Sequence, residues 1–146
     1  MTRLRVAITI DAPPRVVWRA VSDIPSHVNW MRDAEAIRFT SARRSGVGTT
    51  FDCDTRVGPF HTVDKMEVVE WRPGRVLGVR HRGAVRGEGR FTIRRRRRGR
   101  TLFVWTERLT FPLWLGGPVG SFVARPILRA IWRSNLRAFK TLVESG

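Results

Sequence analysis

Hydrophobic and polar residues alternate from Leu4 to Ile10, with Leu4, Val6, Ile8 and Ile10 on one side. That period of two predicts a β-strand. Pro13-Pro14 then opens a helix, since proline is tolerated in a first helical turn. Val17, Trp18, Val21 and Ile24 form its apolar stripe, and Pro25 ends it and begins a second short helix reaching Trp30. Ile37 to Thr40 reads as a strand, followed by a Gly46-Val47-Gly48 connection.

The next segments can be set in register. Val57-Gly58-Pro59-Phe60 and Arg72-Pro73-Gly74-Arg75 both read as two-residue hairpins. Partners across a tight hairpin share a face. Phe60 then opposes Val57, Asp64 opposes Cys53 and Met66 opposes Phe51. Across the second turn Leu77 opposes Glu70, Val79 opposes Val68 and His81 opposes Met66. A loop near Ala84 places Gly89 beside His81, and one near Gly99 places Glu107 beside Gly89. One row across five strands therefore reads Phe51, Met66, His81, Gly89, Glu107. Val68, Val79, Phe91, Ile93, Phe103, Trp105 and Leu109 share its face, the more apolar one, which is assigned to the interior.

An aromatic strand from Thr101 to Phe111 leads into a stretch broken by glycine and proline, Pro112 to Pro118. A long helix follows over 118–143, with a kink or restart expected at Pro126. Leu128, Ile131, Trp132, Asn135, Phe139 and Leu142 fall on one side of the helical wheel, and Arg129, Arg133, Arg137 and Lys140 on the polar side. The sum is an α+β chain: a curved seven-stranded antiparallel sheet wrapped around a long C-terminal helix, with two short helices after the first strand. That order leaves a cavity between sheet and helix. Residues 1–146 read as a single domain without repeats or linkers.

Composition narrows the classes. The longest apolar stretch, Phe111 to Ala124, is broken by Pro112, Gly116, Gly117, Pro118 and Gly120, so no membrane span is expected. The chain enters a strand at once, so no signal peptide is expected either. The lone Cys53 cannot pair internally, which suits a cytoplasmic protein. The net charge is +16, with 18 basic and 3 acidic residues in 71–146 against 10 and 9 in 1–70. Such a field attracts anions, though charge runs more often form a solvated face. Of the 28 basic residues only Lys65 and Lys140 are lysine. Tyrosine is absent, so no phenol can serve as acid or oxyanion donor.

The segment Ile10-Asp11-Ala12-Pro13-Pro14, followed by Val17-Trp18, Ser22-Asp23-Ile24 and Trp30, resembles the opening of START-like, helix-grip proteins. Glu70-Trp71-Arg72-Pro73-Gly74-Arg75 and the strands before the last helix resemble the same SRPBCC superfamily, including its polyketide cyclase/dehydrase group. The likeness covers essentially the whole chain. It implies the helix-grip fold and an apolar cavity that binds lipids, hormones, quinones or polyketides, with a minority of members enzymes. No catalytic motif is common to the superfamily, so the resemblance assigns no catalytic residue.

The residues themselves offer His81 and Glu107, an imidazole and a carboxylate on an apolar face with Gly89 between them. A buried carboxylate has a raised pKa and can share a proton with an imidazole. Such a pair can polarise a ligand carbonyl, move a proton, or simply order the core. Asp64 and Glu70 share the inferred inner face and need arginine partners near the rim, Arg80 or Arg82. Asn135 can meet a ligand at the cavity floor or a neighbouring backbone group. Trp30, Phe51, Met66, Phe91, Trp105, Phe122, Trp132 and Phe139 complete the expected lining. Trp114-Leu115-Gly116-Gly117 reads as a lid over the mouth or as an exposed apolar patch. His27, His61, His81 and Cys53 lack metal-ligand spacing, and no phosphate-binding loop or nucleophile elbow is present, so neither metal nor cofactor is expected.

Three functions follow. The first is a container for a hydrophobic small molecule such as a lipid, quinone or polyketide. The second is a cyclase or dehydratase using His81 and Glu107. The third is a basic-surface module in which the Arg94–Arg98 tip and the stripe of Arg129, Arg133, Arg137 and Lys140 grip anionic lipid or RNA. RNA is disfavoured, because the Arg94–Arg98 run has no interleaved aromatics for base stacking.

Overall fold

The computed structural model describes residues 2–146. Strand β1 (Thr2–Ile10) precedes helix α1 (Pro14–Ser22) and a 3-10 turn over Ile24–Asn29. Strands β2 (Ala34–Phe39), β3 (Thr50–Val57), β4 (Phe60–Arg72), β5 (Val76–Arg82), β6 (Arg86–Arg95) and β7 (Thr101–Thr110) follow, and helix α2 (Gly117–Ser145) closes the chain. The strands form one antiparallel sheet in the order β1-β7-β6-β5-β4-β3-β2. This is the predicted helix-grip arrangement. The second short helix is of 3-10 type, and β2 begins earlier than the alternation suggested, where Ala34 meets Thr55 and a bulge follows.

Register agrees with the sequence reading at β3–β4, where Met66 opposes Phe51 and Asp64 opposes Cys53. At β4–β5 two departures cancel. The turn holds three residues, Pro73 to Arg75, so Trp71 rather than Glu70 opposes Leu77. A bulge at Val69 absorbs the extra residue, and Val68–Val79 and Met66–His81 pair as expected. A bulge sets two residues against one and reverses facing beyond it. Glu70 therefore sits opposite Gly78 on the outer face, while Trp71 turns inward against Trp18, with ring centroids 5.1 Å apart. The loop Gly83–Val85 is tighter than expected, so Gly87, not Gly89, lies beside His81. Gly89 opposes Val79 and, as expected, Glu107. The shift is by two residues, so every side chain keeps its face.

α2 is helical throughout, without a restart at Pro126. Pro126 has no N–H to offer the Phe122 carbonyl. Trp132, Asn135, Leu136, Phe139 and Val143 are its buried stripe. Leu142, placed on that face by the wheel, is 43% exposed. The stripe steps by three and four residues, which carries it to Val143 instead. Phe139 packs on Phe103 and on Trp30, each at 4.7 Å between centroids. Burying an aromatic of this size contributes about 1.5–3 kcal/mol. No helix is long and apolar enough to cross a membrane among the described residues.

Candidate functional site

Two chambers with six lining residues in common lie between the concave sheet face and α2. The inner one, about 90 Å³, is lined by Phe51, Cys53, Met66, Leu77, Phe91 and Trp105 among others. The outer one, about 350 Å³, opens between the β3–β4 hairpin and the start of α2, past Phe60, Leu115, Val123 and Ile127. Asp33, Thr55, Asp64, His81, Glu107 and Trp132 line both. These six side chains form a polar throat between two apolar spaces.

Alternation along β3, β4, β5 and β7 brings the throat together from distant parts of the chain. His81 Nε2 donates to Glu107 Oε2 at 2.9 Å, with both side chains nearly buried. Trp105 Nε1 donates to the other carboxylate oxygen at 3.0 Å. Gly89 makes the contact possible: a Cβ there would stand 2.4 Å from Glu107 Oε1. Burial disfavours charge on His81. The charge and hydrogen bond of Glu107, with Asp64 nearby, outweigh that and raise its pKa from 6.5 to about 9. His81 is thus an imidazolium at neutral pH, with both ring nitrogens donors. Its Nδ1 is buried and has no hydrogen-bond partner among the described residues.

Asp64 accepts from Thr55 Oγ1 at 3.0 Å. Burial pushes its pKa up, against the pull of His81 and Thr55. The arginine partners expected for it are engaged elsewhere, Arg80 with Glu88 and Arg82 with Glu67. Glu70, turned outward by the bulge, pairs with Arg90 at 2.6 Å and Arg72 at 3.3 Å. Burial likewise drives the Cys53 thiol up to about 12, which leaves it unreactive.

Of the expected lining, Phe51, Asp64, Met66, His81, Phe91, Trp105, Glu107 and Trp132 border the chambers. Trp105 and Trp132 stack at 4.8 Å. Trp30 and Phe139 do not border them, being packed on each other in the core. Phe122 points outward and is 79% exposed. Asn135 is closed off: its Oδ1 accepts from the Arg32 backbone N–H at 2.9 Å and its Nδ2 donates to Asp33 Oδ1 at 2.8 Å. Asp33 and Thr55 were not foreseen. Thr55 follows from the alternation Phe51, Cys53, Thr55. Asp33 had no signal, because it reaches the throat from an irregular connection.

The Trp114-Leu115-Gly116-Gly117 stretch belongs to a hydrogen-bonded turn at the mouth, with Trp114 exposed. Gly116 N–H donates to the Leu113 carbonyl at 2.9 Å and Gly117 N–H to that of Pro112 at 3.0 Å. Gly116 adopts φ +92°, and a Cβ on Gly120 would fall 1.9 Å from the Leu115 carbonyl oxygen. Only glycines allow this approach. Leu115 turns into the cavity while Trp114 turns out. Lys140, on the expected cationic stripe, bonds Glu144 and the Thr9 carbonyl.

Residues 1–144 match the family described as polyketide cyclase/dehydrase and lipid transport. Solved structures share the fold at low identity. The protein TTHA0849 from Thermus thermophilus is 18% identical with a TM-score of 0.81, over 98% of this chain and 97% of that one. The Zhui aromatase/cyclase from Streptomyces sp. R1128 is 18% identical with a TM-score of 0.73, over 98% and 91%. The XoxI protein from Bacillus cereus is 13% identical with a TM-score of 0.76, over 98% and 96%. No curated protein sequence matches the chain.

Proposed function

The chain belongs to the polyketide cyclase/dehydrase and lipid transport family, and we propose that it holds an apolar small molecule carrying an oxygen acceptor. The hydrocarbon part fills the outer chamber and the oxygen meets His81. The observation that carries this reading is the buried Nδ1 of His81, without a hydrogen-bond partner among the described residues, beside a chamber of about 350 Å³. A buried donor without an acceptor costs roughly 1–3 kcal/mol. A ligand carbonyl, hydroxyl or phenolate oxygen recovers that energy, and the chamber falls within the size range of small-molecule pockets. Family membership supports a hydrophobic ligand. The fold likeness to an aromatase/cyclase, at 18% identity, bears on the fold alone.

Native mass spectrometry of the purified protein, followed by organic extraction of whatever it retains, tests the reading. A discrete bound mass that His81→Phe fails to retain is the expected result. A wild-type protein that stays free of ligand and binds none of a panel of quinones, fatty acids and aromatic polyketides sinks it.

A second reading is favoured by the His81–Glu107 bond itself. An imidazolium held by a carboxylate can protonate a carbonyl oxygen during ring closure, or a hydroxyl that leaves as water. A turnover assay with an aromatic polyketide precursor separates the two readings, since unchanged substrate leaves only the container.

A further inference from the structure

The outer surface around the cavity mouth is unusually apolar. Leu113 is 88% exposed, Trp114 72% and Phe122 79%, with Phe60, Val123 and Ile127 also exposed. They form one rim. Phe60, Val123 and Ile127 border the mouth directly, and Leu113 and Trp114 stand on the glycine-locked turn whose Leu115 faces into it. The first ten residues of α2 thus show apolar side chains to solvent, whereas the helix after Leu128 buries them against the sheet. Contiguous exposed patches of this kind mark interaction sites.

Charge around the rim selects the partner. No acidic residue occurs between Glu107 and Glu144, a stretch holding Arg108, Arg125, Arg129, Arg133, Arg137 and Lys140. Arg125 lies one helical turn from Phe122, and Arg86 follows Val85, which borders the mouth. Neither Arg86 nor Arg125 has an ion-pair partner among the described residues. Aromatic and aliphatic tips surrounded by unpaired arginine suit an interface of acyl chains and anionic headgroups. They do not suit a second copy, because two chains of net charge +16 would meet on their cationic sides.

We propose that this rim docks on an anionic lipid surface, with Trp114, Leu113 and Phe122 entering the headgroup–acyl boundary and Arg86 and Arg125 meeting the headgroups. Docking sets the cavity mouth on the lipid, so an apolar ligand passes between bilayer and chamber without crossing water. The transfer step rests on the container reading above, whereas docking does not.

Flotation of the full chain with vesicles tests docking directly. Equimolar phosphatidylcholine and phosphatidylglycerol vesicles should carry the protein, and pure phosphatidylcholine vesicles should carry about tenfold less or lower still. The double variant Trp114→Ser/Phe122→Ser should lose about tenfold or more in affinity with its melting temperature unchanged, since both side chains are exposed. Arg86→Gln/Arg125→Gln should lose affinity for the anionic vesicles only. Absence of wild-type flotation at low salt overturns the proposal, as does equal flotation of the double serine variant. Concentration-dependent self-association abolished by the same variant would assign the rim to a second copy and also overturn it. Ligand retention is read separately by mass spectrometry, so an empty cavity and a rim that ignores lipid are distinct results.

Discussion

The Glu107 carboxylate occupies the space that a side chain on residue 89 would fill, with an added Cβ standing 2.4 Å from Oε1. Gly89 is thus what lets a residue on β7 reach an imidazole on β5 across the intervening strand. Gly89→Ala should push the carboxylate aside, break its bond to His81 and cost about 1–3 kcal/mol. Urea unfolding checks the cost. An NMR titration of His81 should show its pKa falling from about 9 toward 6.5. An unchanged titration would mean that the carboxylate reaches His81 by another path.

Glu107→Gln isolates the charge. The amide oxygen can still accept from Trp105, while the negative charge that holds the proton on His81 is gone. In the wild type, the raised pKa of His81 makes its stabilising contribution full below pH 6.5 and lost as pH rises through about 9. Stability measured by denaturant midpoint should therefore fall across that window. The slope should flatten in the variant, and a slope unaffected by the substitution would contradict the pairing.

His27 has the opposite sign. Its Nε2 donates to the Val21 carbonyl at 2.7 Å in a fully buried site between Trp30 and Phe91. Burial lowers its pKa from 6.5 to about 4. The native state thus binds this proton less readily than the unfolded chain. Stability is full above pH 6.5 and should be lost by about 3 kcal/mol as pH falls toward 4. His27→Gln, which keeps a donor for Val21, should flatten that acid limb in thermal melts.

Asn135 separates architecture from ligand binding. Asn135→Ala leaves the Arg32 N–H and one Asp33 oxygen without their present partners, at an expected cost of about 2–3 kcal/mol. Affinity for any cavity ligand should hold in the fraction that remains folded. A selective loss of binding with intact stability would return Asn135 to the ligand site.

The fold was legible because its signals are local and periodic: the alternation in β1, the turn residues at Gly58 and Gly74, and the aromatic spacing of α2. The His81–Glu107 pair was legible for a related reason. A two-residue error at the β5–β6 loop preserves facing, so both groups stayed on the inner side. Glu70 was lost because a bulge reverses facing, and no residue type announces one at Val69. Asn135 and Phe122 were misplaced for different reasons. The wheel puts Asn135 on the buried side but cannot show that Arg32 and Asp33 meet it there. Phe122 belongs to a part of α2 that runs beyond the sheet, where being apolar no longer means being covered.

The polar throat has a consequence for what fits. With the anchoring groups at the inner end of the outer chamber and Val123 and Ile127 at its open end, cargo is measured from its oxygen outward. Under the container reading the chamber works as a ruler with one fixed end. In a homologous series, each added methylene should tighten binding by about 0.8 kcal/mol until the tail reaches the mouth, and little thereafter. The protein would then set a minimum length for its ligands and almost no maximum.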